Sequence, residues 1–115
     1  MHELSVTQGL LDTVIAEATK NDATKVLSVS IVMGEYYDYI PEVMQEYFEA
    51  LGEGTIAESA IIKAEIVPVK IFCEKCNKEY SGKGISAIRC TTCGTNKIQV
   101  LSGKEFYIKN LEIQS

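Results

Sequence analysis

Cys73, Cys76, Cys90 and Cys93 form two CxxC pairs with thirteen residues between them, and the 115-residue chain has no other cysteine. In a reducing compartment such a set reads as metal-binding before it reads as disulfide-bonded. Both sulfurs of a CxxC turn can point at one ion. Two such turns facing each other make a tetrahedral cage of four sulfurs, which suits Zn²⁺. Iron fits the same cage, and two buried or redox-active thiol pairs are the bland alternative; the ferric thiolate would be red and the zinc form colourless. A closed four-thiolate site leaves no open position for a substrate, so it reads as structural. The residue after each pair, Asn77 and Gly94, tolerates the left-handed backbone that lets N–H groups reach the sulfurs.

The same cysteines constrain the fold around them. From about Val69 to Val100 the chain is rich in Lys, Gly, Thr and Ser and poor in large apolar side chains. Roughly 30 residues of this kind cannot bury enough apolar area to fold alone, so a metal must supply the missing stability. The other residues carry ordinary globular patterning. Leu10, Leu11, Val14, Ile15 and Ala18 make one helical stripe in a segment from Ser5 to about Thr19. Ser5 and Gln8 fit a capping box, and Asn21-Asp22 fits a stop. Lys25 to Met33 alternates as a strand, with Leu27, Val29, Ile31 and Met33 on one face and Val26, Ser28, Ser30 and Val32 on the other, which is half polar. Pro41 suits the first turn of a second helix, Val43, Met44, Tyr47, Phe48 and Leu51 give its stripe, and Gly52 is the expected C-terminal cap. Ala60 to Val67 reads as a second strand, and strand character returns from Ile98 to the end. A bulge near Lys109-Asn110 would put Phe106 and Ile108, and then Leu111 and Ile113, all on the core side.

The predicted architecture is α/β, of the α+β kind: a small three-stranded sheet covered on one face by two helices, with an inserted zinc-ribbon-like domain built on the four cysteines. The domains are expected at 1–69 plus 101–115, a discontinuous unit, and at 70–100.

Eleven basic against sixteen acidic residues leave a net charge of −5, a poor match for nucleic acid or an anionic membrane. Lys70, Lys75, Lys78, Lys83, Arg89 and Lys97 make the cysteine module locally cationic. A zinc-ribbon module that binds nucleic acid or protein is therefore the alternative reading. No aromatic stacking pair interleaves these cations, which read mainly as a solvated face. No apolar run approaches the roughly 18 residues of a membrane span. Met1-His2-Glu3-Leu4 has no cationic region ahead of an apolar core, so the expected home is the cytosol. The chain has no obvious nucleophile–base pair and no Gly-rich phosphate loop, so it is not expected to be an enzyme.

His2 is the only histidine. At a chain end it is either a frayed, solvent-exposed residue or part of a chelate. The free amine of Met1, the backbone nitrogen of His2 and its imidazole Nδ1 can close fused rings around an ion, and Glu3 can add its backbone nitrogen or its carboxylate. Four such donors in a plane favour Ni²⁺ or Cu²⁺ over Zn²⁺ or Mg²⁺. Copper would bind the tighter, so selection of nickel must come from metal availability and hand-over partners. The chelate requires that nothing precede Met1.

A start of Met-His-Glu-Leu-Ser, an amphipathic helix and a CxxC…CxxC module before the last strand together resemble the HypA/HybF family of nickel metallochaperones. Met33-Gly34-Glu35, Gly52-Glu53-Gly54-Thr55 and Ser102-Gly103-Lys104-Glu105 extend the resemblance over essentially the whole chain. The resemblance implies Ni²⁺ carried at Met1, His2 and Glu3, and structural Zn²⁺ held by Cys73, Cys76, Cys90 and Cys93. It implies a partner GTPase, HypB, and delivery to the large subunit of nickel–iron hydrogenase, with urease maturation proteins served in some organisms. A monomer or weak homodimer is expected. Two features depart from the family pattern: Tyr36-Tyr37-Asp38-Tyr39 is unusually aromatic, and no histidine flanks the zinc cysteines.

Overall fold

A computed structural model describes residues 3–81, 94 and 97–115. The order of elements is α1 (Glu3–Lys20), β1 (Lys25–Gly34), a 3-10 turn (Glu35–Tyr37), α2 (Pro41–Gly52), β2 (Ile61–Val67), β3 (Lys70–Cys73), β4 (Lys78–Ser81), β5 (Ile98–Ser102) and β6 (Phe106–Gln114). The strands form two three-stranded sheets, one ordered β2-β1-β6 and the other β4-β3-β5. This is the expected mixed α/β architecture, with a second small sheet in the inserted region.

By internal contacts the chain divides into two compact units. One contains Met1–Ile31, Tyr39–Glu65 and Tyr107–Ser115; the other contains Val32–Asp38 and Ile66–Phe106. The second unit is larger than the expected 70–100 segment, because Val32–Asp38 and the stretches 66–69 and 101–106 join it.

In the first unit, α1 buries Glu3, Thr7, Leu10, Leu11, Val14 and Ala18, a stripe repeating every three to four residues. The helix already includes Glu3, so Ser5 is not its cap. Ser5 is exposed, and the Gln8 amide donates instead to Asp12 Oδ1 at 3.1 Å. The stop is as expected. Asp22 takes φ +58°, its N–H donates to Thr19 O at 3.0 Å, and Ala23 N–H reaches Ala18 O at 3.0 Å. These are the two bonds of a Schellman close.

α2 starts with Pro41 in its first turn and buries Met44, Phe48 and Gly52. Gly52 does not have the capping role expected of it. It is the last helical residue, packed where an added Cβ would lie 3.7 Å from Leu11 Cδ1, and the positive φ falls at Gly54 (+81°). Gln45 of α2 guards the β2 edge: its Oε1 accepts Ile62 N–H at 2.7 Å, and its Nε2 donates to Ala60 O at 3.1 Å. An edge strand would otherwise leave those groups unpaired.

β1 is the central strand, buried almost throughout from Ser28 to Gly34. Leu27, at the start of the strand, is 43% exposed, while Val26 is fully buried. The Val26 N–H donates to Ile56 O at 2.8 Å, so the connection after α2 lies against this end of β1 and draws Val26 into the core. β6 runs antiparallel to β1. Thr24 N–H donates to Gln114 O at 2.7 Å at one end, and Gly34 N–H to Glu105 O at 2.6 Å at the other. Burial along β6 slips by one residue at Lys109-Asn110, as a bulge there requires, so Phe106, Ile108, Leu111 and Ile113 are the less exposed residues. The outer sheet face is polar. Lys63 pairs with Glu112 at 3.2 Å and Lys109 with Glu65 at 3.5 Å, all four about 60% exposed.

In the second unit β3 is central and antiparallel to both neighbours. It pairs Cys73 with Lys78 of β4 and Cys73 with Ile98 of β5, burying Ile71 and Cys73 on one face. Ile98–Ser102 was expected to begin the last strand. It belongs instead to this second sheet, because Gly103, at φ +102°, breaks the extended path between β5 and β6.

Candidate metal centre

β3 delivers Cys73 to the mouth of a four-residue turn, Glu74 to Asn77, that leads into β4. Cys73 is fully buried and Cys76 is half-buried. The turn closes with Asn77 N–H on Cys73 O at 2.7 Å, which the left-handed φ of +55° at Asn77 makes possible. Asn adopts that region more readily than most side chains. The Cys76 N–H then points at Cys73 Sγ, 3.3 Å away. An N–H aimed at sulfur is the arrangement in which a metal-bound thiolate holds its negative charge. Glu74 N–H donates to Lys97 O at 3.3 Å, tying this turn to the chain just before β5. Gly94 has φ +71° with open space where a Cβ would point. The left-handed residue expected after each CxxC pair is therefore present at both Asn77 and Gly94.

Cys90 and Cys93 lie outside the described residues, as do Met1 and His2. Among the described residues no three His, Cys, Asp or Glu side chains converge as a metal site. The local geometry at Cys73 and Cys76 nonetheless fits a thiolate metal: a buried sulfur, a backbone donor directed at it, and a left-handed closing residue.

Glu3, the remaining residue expected to handle nickel, opens α1. It is buried, and its Oε2 accepts the Ile40 N–H at 3.3 Å. Ile40 is the N-cap of α2 and has no capping side chain of its own. A carboxylate from α1 thus serves the start of α2, where negative charge is favoured by the helix dipole.

A shallow cleft of about 200 Å³ lies on the polar sheet face between Ser30, Lys63, Glu65, Lys109 and Asn110. Its two lysines are each paired with a carboxylate, so it offers no net charge to a ligand. Among the described residues no helix is long and apolar enough to cross a membrane. Sequence reasoning gave no structural role to Glu35 or Gly103, which appeared only as parts of short motifs.

The family profile described as hydrogenase/urease nickel incorporation, metallochaperone, hypA matches residues 1–113. A hydrogenase maturation factor HypA from Caldanaerobacter subterraneus subsp. tengcongensis is 37% identical over 115 residues, covering 99% of this chain and 100% of the relative. One from Methanothermobacter thermautotrophicus is 38% identical over 120 residues, covering 99% and 98%. The solution structure of the Ni metallochaperone HypA from Helicobacter pylori shares the fold, with a TM-score of 0.66 at 24% identity over 100% of this chain and 99% of that one. With nearly its whole length matched by profile and relatives, this chain belongs to the HypA family of nickel-incorporation metallochaperones that serve hydrogenase maturation.

Proposed function

We propose that the protein carries Ni²⁺ at its amino terminus and hands it to the large subunit of nickel–iron hydrogenase, with Zn²⁺ held by the cysteines as a structural ion. The observation that carries this reading is the single family match over residues 1–113, which takes in Met1-His2-Glu3 and both CxxC pairs together. Ni²⁺ is the cargo. Its donors are the Met1 amine, the His2 backbone nitrogen and imidazole, and Glu3. The fourth donor is the Glu3 backbone nitrogen or its carboxylate. A chelate at a chain end suits hand-over, because an acceptor can replace one donor at a time.

Cys73, Cys76, Cys90 and Cys93 would hold zinc. That ion supplies the cross-link that a unit with so short a core needs. The profile's description names urease beside hydrogenase, so maturation of either enzyme is within this reading. In this reading the partner GTPase is HypB, and the place of action is the cytosol.

Calorimetric titration with Ni²⁺ of untagged protein bearing a free Met1 amine, beside His2→Ala, tests the nickel site. The wild type is expected to bind one equivalent, and the variant to lose that binding while retaining its zinc. Unchanged nickel affinity in His2→Ala would remove the amino terminus from the mechanism.

A further inference from the structure

Two of the short motifs, Met33-Gly34-Glu35 and Ser102-Gly103-Lys104-Glu105, meet inside the second unit. Gly34 ends β1, and Gly103 stands between β5 and β6. Their backbones touch so closely that a Cβ on Gly34 would overlap the Gly103 carbonyl. A Cβ on Gly103 would in turn lie 2.6 Å from Val69 Cα, and its φ of +102° is one that L side chains rarely adopt. Three segments therefore cross in backbone contact: the end of β1, the lead into β3 and the exit from β5. Gly34, Val69 and Gly103 are all buried.

Hydrogen bonds fasten the crossing on every side. Tyr36 N–H donates to Gly103 O at 3.0 Å, which continues the pairing of Gly34 with Glu105. Glu105 Oε1 accepts Gly103 N–H at 2.6 Å. Ser102 Oγ donates to Pro68 O at 2.9 Å. Glu35 Oε1 accepts Val69 N–H at 3.2 Å. The last bond matters most for the cysteines. Val69 immediately precedes β3, whose far end is Cys73, and the crossing holds the near end of the β3–β5 ladder, where Lys70 faces Ser102. The ladder's register shifts between Lys70 and Ile71, beside this contact, and runs out to Cys73 opposite Ile98. A slip of one residue in such a ladder moves every side chain to the opposite face.

We propose that this crossing positions the cysteine site: Gly34, Gly103 and the Glu35 carboxylate fix the register of β3 against β5, and so fix where the Cys73–Cys76 turn stands. Glu35 is a positioning residue that acts through the Val69 N–H and not through the metal. The proposal rests on the reading of the cysteines as a zinc site.

The test compares full-length, zinc-loaded wild type with Glu35→Ala and Glu35→Gln. Gln keeps an oxygen that can accept the Val69 N–H; Ala does not. Glu35→Ala is expected to release zinc to a chromogenic chelator about 10-fold faster. Its Co²⁺-substituted form is expected to show an altered thiolate absorption, with helical circular dichroism unchanged. Glu35→Gln is expected to stay close to wild type. Unchanged release and an unchanged cobalt spectrum in Glu35→Ala would overturn the proposal, as would a Gln variant as defective as the Ala variant. Amide exchange at Val69 separates this failure from failure of the zinc reading. If the wild type holds no stoichiometric metal, Val69 exchange that quickens in Glu35→Ala alone still supports the crossing, and equal exchange in all three proteins refutes it.

Discussion

Ser28 carries a hydroxyl into the middle of β1, where the residue is only 4% exposed. It donates to Glu112 Oε1 of β6, and Lys63 Nζ of β2 lies 3.2 Å from the same oxygen. One carboxylate thus joins all three strands of the first sheet. The Ser28 hydrogen bond first, and Lys63 second, hold the Glu112 carboxyl below its ordinary 4.5. A carboxyl depressed in the folded state contributes stability above its unfolded pKa and loses that contribution as pH falls through the folded one. Ser28→Ala removes the larger cause. The variant is expected to lose less stability than wild type between about pH 6 and about pH 3 in denaturant titrations. Equal acid slopes would show that Glu112 does not titrate through Ser28. Other single residues were legible in advance. Asn77 and Gly94 are left-handed as foreseen, because few residue types accept a positive φ and a CxxC turn needs one. Glu35 was not legible, since an acid beside a glycine gives no sign that a backbone N–H from a residue 34 positions later will come to it.

At the scale of elements, α1 and α2 could be read because each is long enough for its apolar stripe to repeat. The error at the start of α1 comes from assigning Ser5 as a cap, when the helix already begins at Glu3, whose carboxylate reaches to Ile40. The strands β3 and β4 were hard to see, at only four residues each, with Ile71 and Cys73 the only fully buried pair on β3, while β5 was read as the start of the last strand. A period of two cannot establish itself over so few positions. The two helices themselves rest on a well-filled core. Phe48 and Met44 of α2 and Val14 of α1 are fully buried. Phe48→Ala is expected to cost about 3–5 kcal/mol of unfolding free energy, from lost transfer energy plus the cavity left behind. Chemical denaturation followed by helical circular dichroism measures it. A cost below about 1 kcal/mol would mean that the helix pair closes over the gap.

On the scale of the whole molecule, the apolar core is unevenly shared. The first unit holds both helices and most of the buried aliphatic and aromatic side chains, whereas among the described residues of the second unit Val32, Met33, Val69, Ile71 and Cys73 are the buried apolar ones. If zinc is the missing cross-link, removing it affects one unit only. Treatment with a strong chelator under reducing conditions is expected to abolish amide protection in β3 and β5 while leaving α1 and α2 protected, and added Zn²⁺ should restore the loss. Collapse of both sets of amides together would mean that the units do not fold independently.

The chain passes between its two units four times, at positions 31/32, 38/39, 65/66 and 106/107. No single pair of cuts in the gene therefore lifts out the cysteine-bearing unit. A graft of residues 66–106 alone leaves behind Val32–Asp38, and with it the glycine against which Gly103 is seated. Chimaeras between relatives should tolerate exchange only when both stretches travel together.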